Sequence, residues 1–208
     1  MTIMRRAEYR SLRGVLLSGD VLDLGGSRDS EYHRLFSGIF SIETANISVG
    51  ADILCDFEEP LPIKSGRYDA VLLINVLEHI FEYRQLLGEV ARILRPQGRV
   101  IIVVPFLFPY HASPSDFHRY TATALSRALA LAGFEDIECV ALGSGVCAAR
   151  WALIERLFPR PLQTISRLID PLVTASDWLL IRCARLLGKK YQPADYALGY
   201  TVTARLSL

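Results

Sequence analysis

The sequence predicts an α/β fold: a doubly wound, mostly parallel sheet with helices on both faces. One observation is that short apolar strands alternate along the chain with amphipathic helices, which is typical of such a sheet. Another is the stretch YDAVLLIN at 68–75, an apolar run suited to a strand that is covered on both faces. The length of 208 residues suits one domain with a sizeable core, and we expect 1–208 to form it.

The predicted elements of the first half are arranged around a glycine turn. The strand at 21–24 ends at Gly25 and Gly26, and the helix that follows should face this turn. Prolines after position 59 then forbid a regular element. In order, we expect an amphipathic first helix at Ala7–Leu17, the strand at 21–24, a helix at Asp29–Phe36, a strand at Ile39–Glu43 and a short apolar stretch at 51–54.

The second half continues the alternation of strands and helices. Apolar residues at helical spacing predict a helix that Pro96 and Gly98 end. Thr121 is expected to cap the next helix, and Gly133 to end it. In order, we expect a strand at Tyr68–Asn75, a helix at Phe81–Leu94, a strand at Arg99–Pro105, a proline-rich loop, a helix between Thr121 and Gly133, and strands at Phe134–Leu142 and Tyr196–Leu206.

The composition predicts a globular chain without a membrane-spanning segment or a secretion signal. Hydrophobic residues make up 51% of the chain and charged residues 22%. No run of about 18 uninterrupted apolar residues is present, and the N-terminal residues lack the apolar core of a secretory signal. The four cysteines are scattered without a Cys-x-x-Cys pair. We therefore expect reduced thiols and a cytoplasmic location.

The segment 146–190 is predicted to be a helical insertion or cap before the final strand. Residues 150–190 hold eight Lys or Arg and three acidic residues (+5), against 15 basic and 19 acidic residues elsewhere (−4). An apolar stripe at helical spacing runs through the segment, and Pro159, Pro161 and Pro171 should divide it into two or three helices. Two interpretations stay open: a cap packed on the sheet or on a second subunit, or a basic lid resting on a membrane surface. No nucleic-acid partner is expected, because no stacking platform or recognition helix is apparent.

The turn after the first strand is a candidate binding site. Gly25 and Gly26 leave backbone N–H groups bare at the carboxyl edge of the sheet, where parallel sheets bind ligands. Asp23 would place a carboxylate beside that crevice. A tight turn without a ligand is the alternative, since two glycines follow a strand in many folds.

Five segments in order carry a resemblance to a known family. They are VLDLGGS at 21–27, CDFEEPLP at 55–62, YDAVLLINVLEHI at 68–80, LRPQGRVIIVVPF at 94–106 and PYHASPSDFHRYT at 109–121. The sequence resembles the class I S-adenosylmethionine-dependent methyltransferases, and among them the small bacterial, type-11-like branch associated with surface polysaccharide genes. The resemblance implies a Rossmann-like sheet of seven strands, the last antiparallel between its neighbours, with S-adenosylmethionine as cofactor.

The resemblance also implies which residues bind the cofactor. Asn46 stands where the family usually has an acidic ribose ligand, and Glu43 is the nearest acid. Ser27 and Asp29 stand where the family usually has glycine, which argues against a dinucleotide. The implied set is Asp23, Gly25, Gly26 and Ser27 at the methionine moiety, Asn46 or Glu43 at the ribose, Asp56 and Phe57 at the adenine, and Asn75, Val76 and Leu77 at the methionine part, with Glu78 and His79 starting the next helix.

The loop after the fifth strand carries the candidate bases. His111 is the first choice, because a neutral imidazole titrates near working pH. His118, or an Asp116–His118 pair, is the second choice. The alternative is that polar side chains of this loop only lock it over the cofactor. No metal site is expected, since His111, Asp116 and His118 match no close-packed ligand motif.

Three functions stay open at this point. The favoured one is methyl transfer to a hydroxyl of a small molecule, a sugar or a lipid-linked glycan. An NAD(P)-dependent oxidoreductase is disfavoured by Ser27, Asp29 and the missing third glycine. A non-catalytic module that keeps the fold as a binding surface is the third. The expected location is the cytoplasm, with the inner face of the membrane as the alternative that the basic lid leaves open.

Overall fold

A computed structural model describes residues 1–112, 114–159 and 166–208, with the backbone alone at 166 and 167. Five α-helices and seven strands are described. The helices are α1 (Ile3–Leu12), α2 (Tyr83–Ile93), α3 (Ala122–Leu131), α4 (Val146–Ile154) and α5 (Ser166–Leu186), and the strands are β1 (Leu16–Leu24), β2 (Ser37–Asn46), β3 (Ile53–Leu54), β4 (Tyr68–Ile74), β5 (Leu94–Pro105), β6 (Phe134–Leu142) and β7 (Gly199–Leu206).

The seven strands form one sheet in the order β3-β2-β1-β4-β5-β7-β6. Neighbours from β3 to β5 are parallel, whereas β7 is antiparallel to both β5 and β6. The predicted fold class is therefore confirmed, including the antiparallel last strand and the helices that precede it. The chain leaves β1 first toward β2 and later returns to its other side as β4. This reversal opens a crevice at the carboxyl ends of β1 and β4, where such sheets bind ligands.

The central strands are buried on both faces, which explains their continuous apolar sequence. On one face, Leu73 and Ile102 pack with Leu86 and Val90 of α2. On the other face, Leu72 belongs to a second apolar cluster, together with residues of α1. Burial of each such side chain contributes about 1.5–3 kcal/mol. The sheet is therefore a rigid base for the loops at its carboxyl edge.

The first helix differs from the prediction at both ends. It begins at Ile3 because the Thr2 hydroxyl caps it, accepting a hydrogen bond from Arg5 N at 3.3 Å. It ends at Leu12 rather than Leu17, since β1 already begins at Leu16. The strand is correspondingly longer than the expected 21–24.

The predicted helix at Asp29–Phe36 is also wrong in kind. The structure has only a five-residue 3₁₀ helix at Glu31–Leu35. The segment is short because β2 must start at Ser37, where it pairs with Leu16 of β1. No long helix therefore directs its N-terminus at the glycine turn in the described chain.

Between β6 and β7 lie α4 and α5. Pro171 does not divide this segment but lies inside α5, while Pro161 falls outside the described residues. Asp177 of α5 is fully buried and accepts hydrogen bonds from the N–H groups of Cys147 (2.8 Å) and Ala148 (3.0 Å). This carboxylate satisfies the first turn of α4, which fixes the two helices to each other. Their inner side packs on α1 through an apolar cluster that includes Ile3, Met4, Ala149, Ala152 and Val173.

Candidate active site

The two glycines after β1 have no room for side chains. Gly25 has a φ of +93°, and a Cβ there would lie 2.4 Å from Cγ2 of Val76. A Cβ on Gly26 would lie 1.8 Å from Oδ2 of Asp23. The backbone of this loop is therefore bare at the crevice, as the sequence predicts.

Asp23 lies beneath the glycine loop and not on the open surface of the crevice. Its carboxylate is fully buried, Oδ2 accepts the Tyr32 hydroxyl at 2.7 Å, and Nε2 of His33 lies 2.6 Å from the same oxygen. Oδ1 has no hydrogen-bond partner among the described residues. Tyr32 and His33 are not among the predicted site residues, because a regular helix is expected where the 3₁₀ turn brings them under the loop.

Asn46 holds the glycine loop from the side. Its Nδ2 donates to the carbonyl oxygens of Gly25 (2.8 Å) and Gly26 (3.1 Å). The prediction of Glu43 as the alternative ribose ligand is wrong in position. Glu43 lies further back on β2, where it pairs with Arg67 at 2.6 Å and accepts from the hydroxyl of Tyr68, away from the crevice.

Two adjoining compartments make up the crevice, with volumes of about 650 Å³ and 450 Å³. Gly25, Asn75 and His79 line both of them, so the two lie side by side at the carboxyl ends of β1 and β4. Among the predicted cofactor residues, Asn46, Asp56, Phe57 and Val76 line the larger compartment, and Gly26 and Ser27 line the smaller one.

Leu77 does not join this set. It is fully buried in the core, and its carbonyl oxygen accepts the Tyr120 hydroxyl at 2.9 Å. The helix expected to begin at Glu78 and His79 is also displaced: Leu77–His79 is a single 3₁₀ turn, and α2 starts only at Tyr83.

The first helix and its cap contribute residues that no sequence pattern marks as part of a site. Arg5, Glu8 and Thr2 all line the smaller compartment. Asn75, at a φ of +55°, lies next to Arg5 and Glu8. In the amide orientation that satisfies both neighbours, it donates to Glu8 Oε1 (3.1 Å) and accepts from Arg5 (3.3 Å). Burial raises the pKa of Glu8. No sequence signal marks these residues, because α1 reaches the crevice only through tertiary packing.

His111 and Asp116 come together in the loop after β5, supported by Arg119. Asp116 forms a two-pronged ion pair with Arg119 and accepts the backbone N–H of His111 at 2.8 Å. These hydrogen bonds, led by those from Arg119, lower the pKa of Asp116 to about 2. Burial lowers the pKa of His111, so its imidazole is neutral near pH 7.

The neighbours of His111 also settle which ring nitrogen carries the proton. Nδ1 lies 3.2 Å from the Pro109 carbonyl oxygen and 3.3 Å from Asp116 Oδ2, both of which can only accept. The proton therefore belongs on Nδ1, and Nε2 keeps a lone pair. Because His111 lines the smaller compartment, this lone pair is available to a bound acceptor.

His118 is not part of this arrangement. Its Nε2 lies 3.2 Å from the Phe81 carbonyl oxygen, and its ring packs against Tyr83 and Tyr120 on the outer side of the loop. The predicted Asp116–His118 pair is therefore wrong: Asp116 pairs with His111 and Arg119 instead. The contacts of His118 and of Asp116 also hold this loop in place. The loop can therefore be fixed over the crevice and still provide His111 as a base.

Comparison with known proteins agrees with this geometry. A family model described as "Methyltransferase domain" matches residues 41–102. A 44-residue stretch, 21% of this chain, is 50% identical to an uncharacterised protein of Methanocaldococcus jannaschii and spans 19% of that protein. This relative is archaeal, so the expected bacterial origin stays a prediction.

Solved methyltransferase structures share the fold at low sequence identity. A methyltransferase from Thermotoga maritima superposes with a TM-score of 0.61 at 13% identity, covering 98% of this chain and 91% of that one. A second similar structure is a chain from the complex of the Haloferax volcanii Trm112 methyltransferase activator with a methyltransferase. It superposes with a TM-score of 0.56 at 15% identity, covering 99% of this chain and 90% of that one.

A Haemonchus contortus phosphoethanolamine N-methyltransferase, solved with S-adenosylhomocysteine, gives a TM-score of 0.58 at 13% identity. It covers 98% of this chain and 52% of the larger enzyme. The predicted family and cofactor are confirmed at the level of the matched domain and the fold. Residues 41–102 match a methyltransferase domain, and the described chain has the fold of the class I S-adenosylmethionine-dependent methyltransferases.

Proposed function

We propose that the protein transfers the methyl group of S-adenosylmethionine to a hydroxyl oxygen of a polar acceptor, a sugar or other small molecule, either free or linked to a lipid. The observation that carries this proposal is the lone pair on Nε2 of His111, which borders the compartment next to Gly25 and Asn75. The acceptor oxygen attacks the methyl carbon as the carbon–sulfur bond breaks. Its proton passes to His111, and S-adenosylhomocysteine is the second product.

The larger compartment suits the adenosine part of the cofactor. It combines an apolar wall, including Phe57, Val76 and Ile80, with polar groups at Asp56 and Asn46. The methionine part would then extend past Gly25 and Asn75 into the smaller compartment. This arrangement supports the roles that the resemblance implies for these residues.

Positioning of the methyl donor and the acceptor is expected to contribute more to the rate than the general base does. Holding donor and acceptor in near-attack geometry lowers the barrier by up to about 7–11 kcal/mol. General-base help from a side chain is worth about 10²–10⁴-fold. The polar lining of the smaller compartment, from Arg5, Glu8 and Arg156, fits an acceptor with several hydroxyl groups.

We also propose that α5 brings the protein to an anionic lipid surface. Leu168, Leu172, Leu179 and Leu186 follow one another at spacings of four and seven residues, so they form one stripe of the helix, and all four are more than half exposed. The segment around this stripe is basic, and the Arg182 guanidinium stacks over the Trp178 ring at 3.9 Å. No described helix has the length and apolarity to cross a bilayer. Contact in the plane of the interface would present the crevice to a lipid-linked acceptor.

The decisive experiment is calorimetry with S-adenosylmethionine, S-adenosylhomocysteine and NADH, followed by transfer of a labelled methyl group to sugars and to a lipid extract. We expect binding of the first two ligands and none of NADH. Failure to bind either sulfur ligand at millimolar concentration would overturn the proposal. Binding of both without transfer to any acceptor would favour the non-catalytic module, and preferential binding of NADH would favour the oxidoreductase.

A further inference from the structure

Three ligand-type side chains lie together beside the crevice, where His79 lines both compartments and His111 lines the smaller one. Glu78, His79 and His111 each offer one ligand atom, and the three atoms lie within 4.8 Å of one another. Oε1 of Glu78 is 3.7 Å from Nε2 of His79 and 3.9 Å from Nε2 of His111. The two rings meet edge to face, with centroids 5.1 Å apart.

Both imidazoles are oriented by acceptors on their other nitrogen. Nδ1 of His79 contacts the carbonyl oxygen of Ser115, so it carries the proton. Nδ1 of His111 is held in the same way by Pro109 and Asp116. Both Nε2 atoms therefore keep a lone pair, and each lies within 4 Å of Oε1 of Glu78. Hydrogen bonds of this kind, from the distal ring nitrogen to a carbonyl or carboxylate, are what orient histidine ligands in metal sites.

The Glu78 carboxylate is the second observation. It is fully buried, and neither oxygen has a hydrogen-bond partner among the described residues. Native proteins rarely leave a buried carboxylate unsatisfied. With the protons on Nδ1, the Nε2 atoms of His79 and His111 cannot donate to this carboxylate. Only a proton or a cation would satisfy its oxygens.

We propose that Glu78, His79 and His111 bind a divalent first-row transition-metal ion such as Zn²⁺, with open coordination positions toward the crevice. Two imidazoles and one carboxylate suit Zn²⁺ or Fe²⁺ better than the hard ions Mg²⁺ and Ca²⁺. Bonds of about 2.1 Å bring neighbouring ligand atoms to roughly 3.0–3.4 Å, so the observed 3.7 and 3.9 Å need only a small closure. The site differs from the sequence-based expectation of no metal, which considered His118 and Asp116 instead of Glu78 and His79.

The consequence for catalysis, but not the binding itself, rests on the proposed function. An acceptor hydroxyl bound to the ion would have a lowered pKa and would release its proton to solvent. The O–CH₃ bond would then form and the carbon–sulfur bond break as before. His111 would act as a ligand in the metal-bound protein and as the base only in the metal-free protein, since both roles use the same lone pair.

The test is titration calorimetry of the whole, chelator-treated chain with Zn²⁺ alone, without cofactor or acceptor. We expect one ion per chain, and at least tenfold weaker binding in Glu78→Gln and in His79→Ala. His118→Asn removes a histidine outside the cluster and should leave the affinity unchanged. A cooperative thermal unfolding transition, measured for each variant, serves as the check that it is folded.

The metal proposal is overturned if the wild-type chain binds no Zn²⁺, or if the Glu78→Gln and His79→Ala variants bind it as the wild type does. The readout is independent of turnover. A chain that binds Zn²⁺ through these residues but transfers no methyl group keeps the site and loses the proposed function. A chain that transfers methyl groups in the presence of chelator and binds no Zn²⁺ keeps the proposed function and loses the metal site.

Discussion

The carboxylate of Asp23 lies directly under the backbone of Gly26, with Oδ2 only 1.8 Å from where a Cβ would be. The carboxylate cannot easily move aside, because the Tyr32 hydroxyl and the His33 ring hold the same oxygen at 2.7 and 2.6 Å. The absence of a side chain at Gly26 is thus a packing requirement, beyond any contact with a ligand.

Gly26→Ala is therefore expected to destabilise the fold by about 1–3 kcal/mol, the usual cost of overpacking, and to weaken S-adenosylhomocysteine binding at least tenfold. Thermal unfolding and calorimetry measure the two effects. Gly88→Ala is the matched control: a Cβ there meets nothing within 4 Å, and Gly88 lies within α2. That helix should gain about 0.5–1 kcal/mol. Equal behaviour of the two variants would contradict this account of the loop.

Asn46→Asp is expected to impair the site although it restores the family's usual carboxylate. The amide donates to two carbonyl oxygens, those of Gly25 and Gly26, and a carboxylate would face both without a proton to donate. Loss of these bonds costs about 0.5–1.5 kcal/mol each, so S-adenosylhomocysteine should bind about tenfold more weakly or worse. Calorimetry checks this. Tighter binding by Asn46→Asp would show that the side chain contacts the ribose instead of holding the loop.

His111→Ala should lower turnover at least tenfold, and up to the 10²–10⁴-fold typical of a lost general base. Binding of S-adenosylhomocysteine should change far less than turnover, because its adenosine part is proposed to lie in the larger compartment, which His111 does not line. His118→Ala is the matched control, since that ring lies on the outer side of the same loop. Steady-state methyl transfer to an acceptor identified in the labelling experiment measures both. Equal turnover in wild type and His111→Ala would remove this residue from the mechanism.

The stability of the protein should depend on pH through Glu155. Its side chain is buried and accepts Ile3 N–H at 2.7 Å, and burial raises its pKa above the ordinary 4.5. A raised pKa in the folded state means that the stability advantage of the protonated form is complete below pH 4.5 and is lost as the pH rises through the folded-state value.

Glu155→Gln keeps an oxygen for Ile3 and cannot ionise. We expect the Tm of wild type minus that of Glu155→Gln to fall as the pH is raised from 4 to 8. A difference of one in pKa between the folded and unfolded states corresponds to about 1.4 kcal/mol, or roughly 3–6 °C for a chain of this size at about 2–4 °C per kcal/mol. A difference that does not vary with pH would mean that the carboxyl is not desolvated in solution.

The α5 surface predicts sedimentation with anionic vesicles. A 3:1 mixture of phosphatidylcholine and phosphatidylglycerol should retain the protein, and pure phosphatidylcholine should not. Leu179→Ser with Leu186→Ser should reduce the bound fraction several-fold. Leu131→Ser, an equally exposed change on α3, should not. Indifference to lipid charge and to both changes would exclude the lipid contact, and concentration-dependent dimerisation lost in the double variant would assign this stripe to a second subunit.

The strands and the glycine turn could be read from the sequence because their signals are local. The apolar run at 68–75, the proline and glycine after α2 and the cap at Thr121 each act within a few residues, and the structure has the corresponding elements. The first helix and the segment at 29–36 were mispredicted, because strand pairing at Leu16 and Ser37 overrides local helical preference.

The sequence by itself thus determined the alternation of strands and helices, the bare backbone at Gly25 and Gly26, and the presence of histidines in the loop after β5. Only the tertiary structure decided which side chains meet: His111 with Asp116, Glu78 and His79, but not His118, and Arg5 and Glu8 of α1 at the same crevice. The physical reason is that periodicity fixes which way a side chain points within its own element. The distance between side chains on separate loops depends instead on how every intervening element packs.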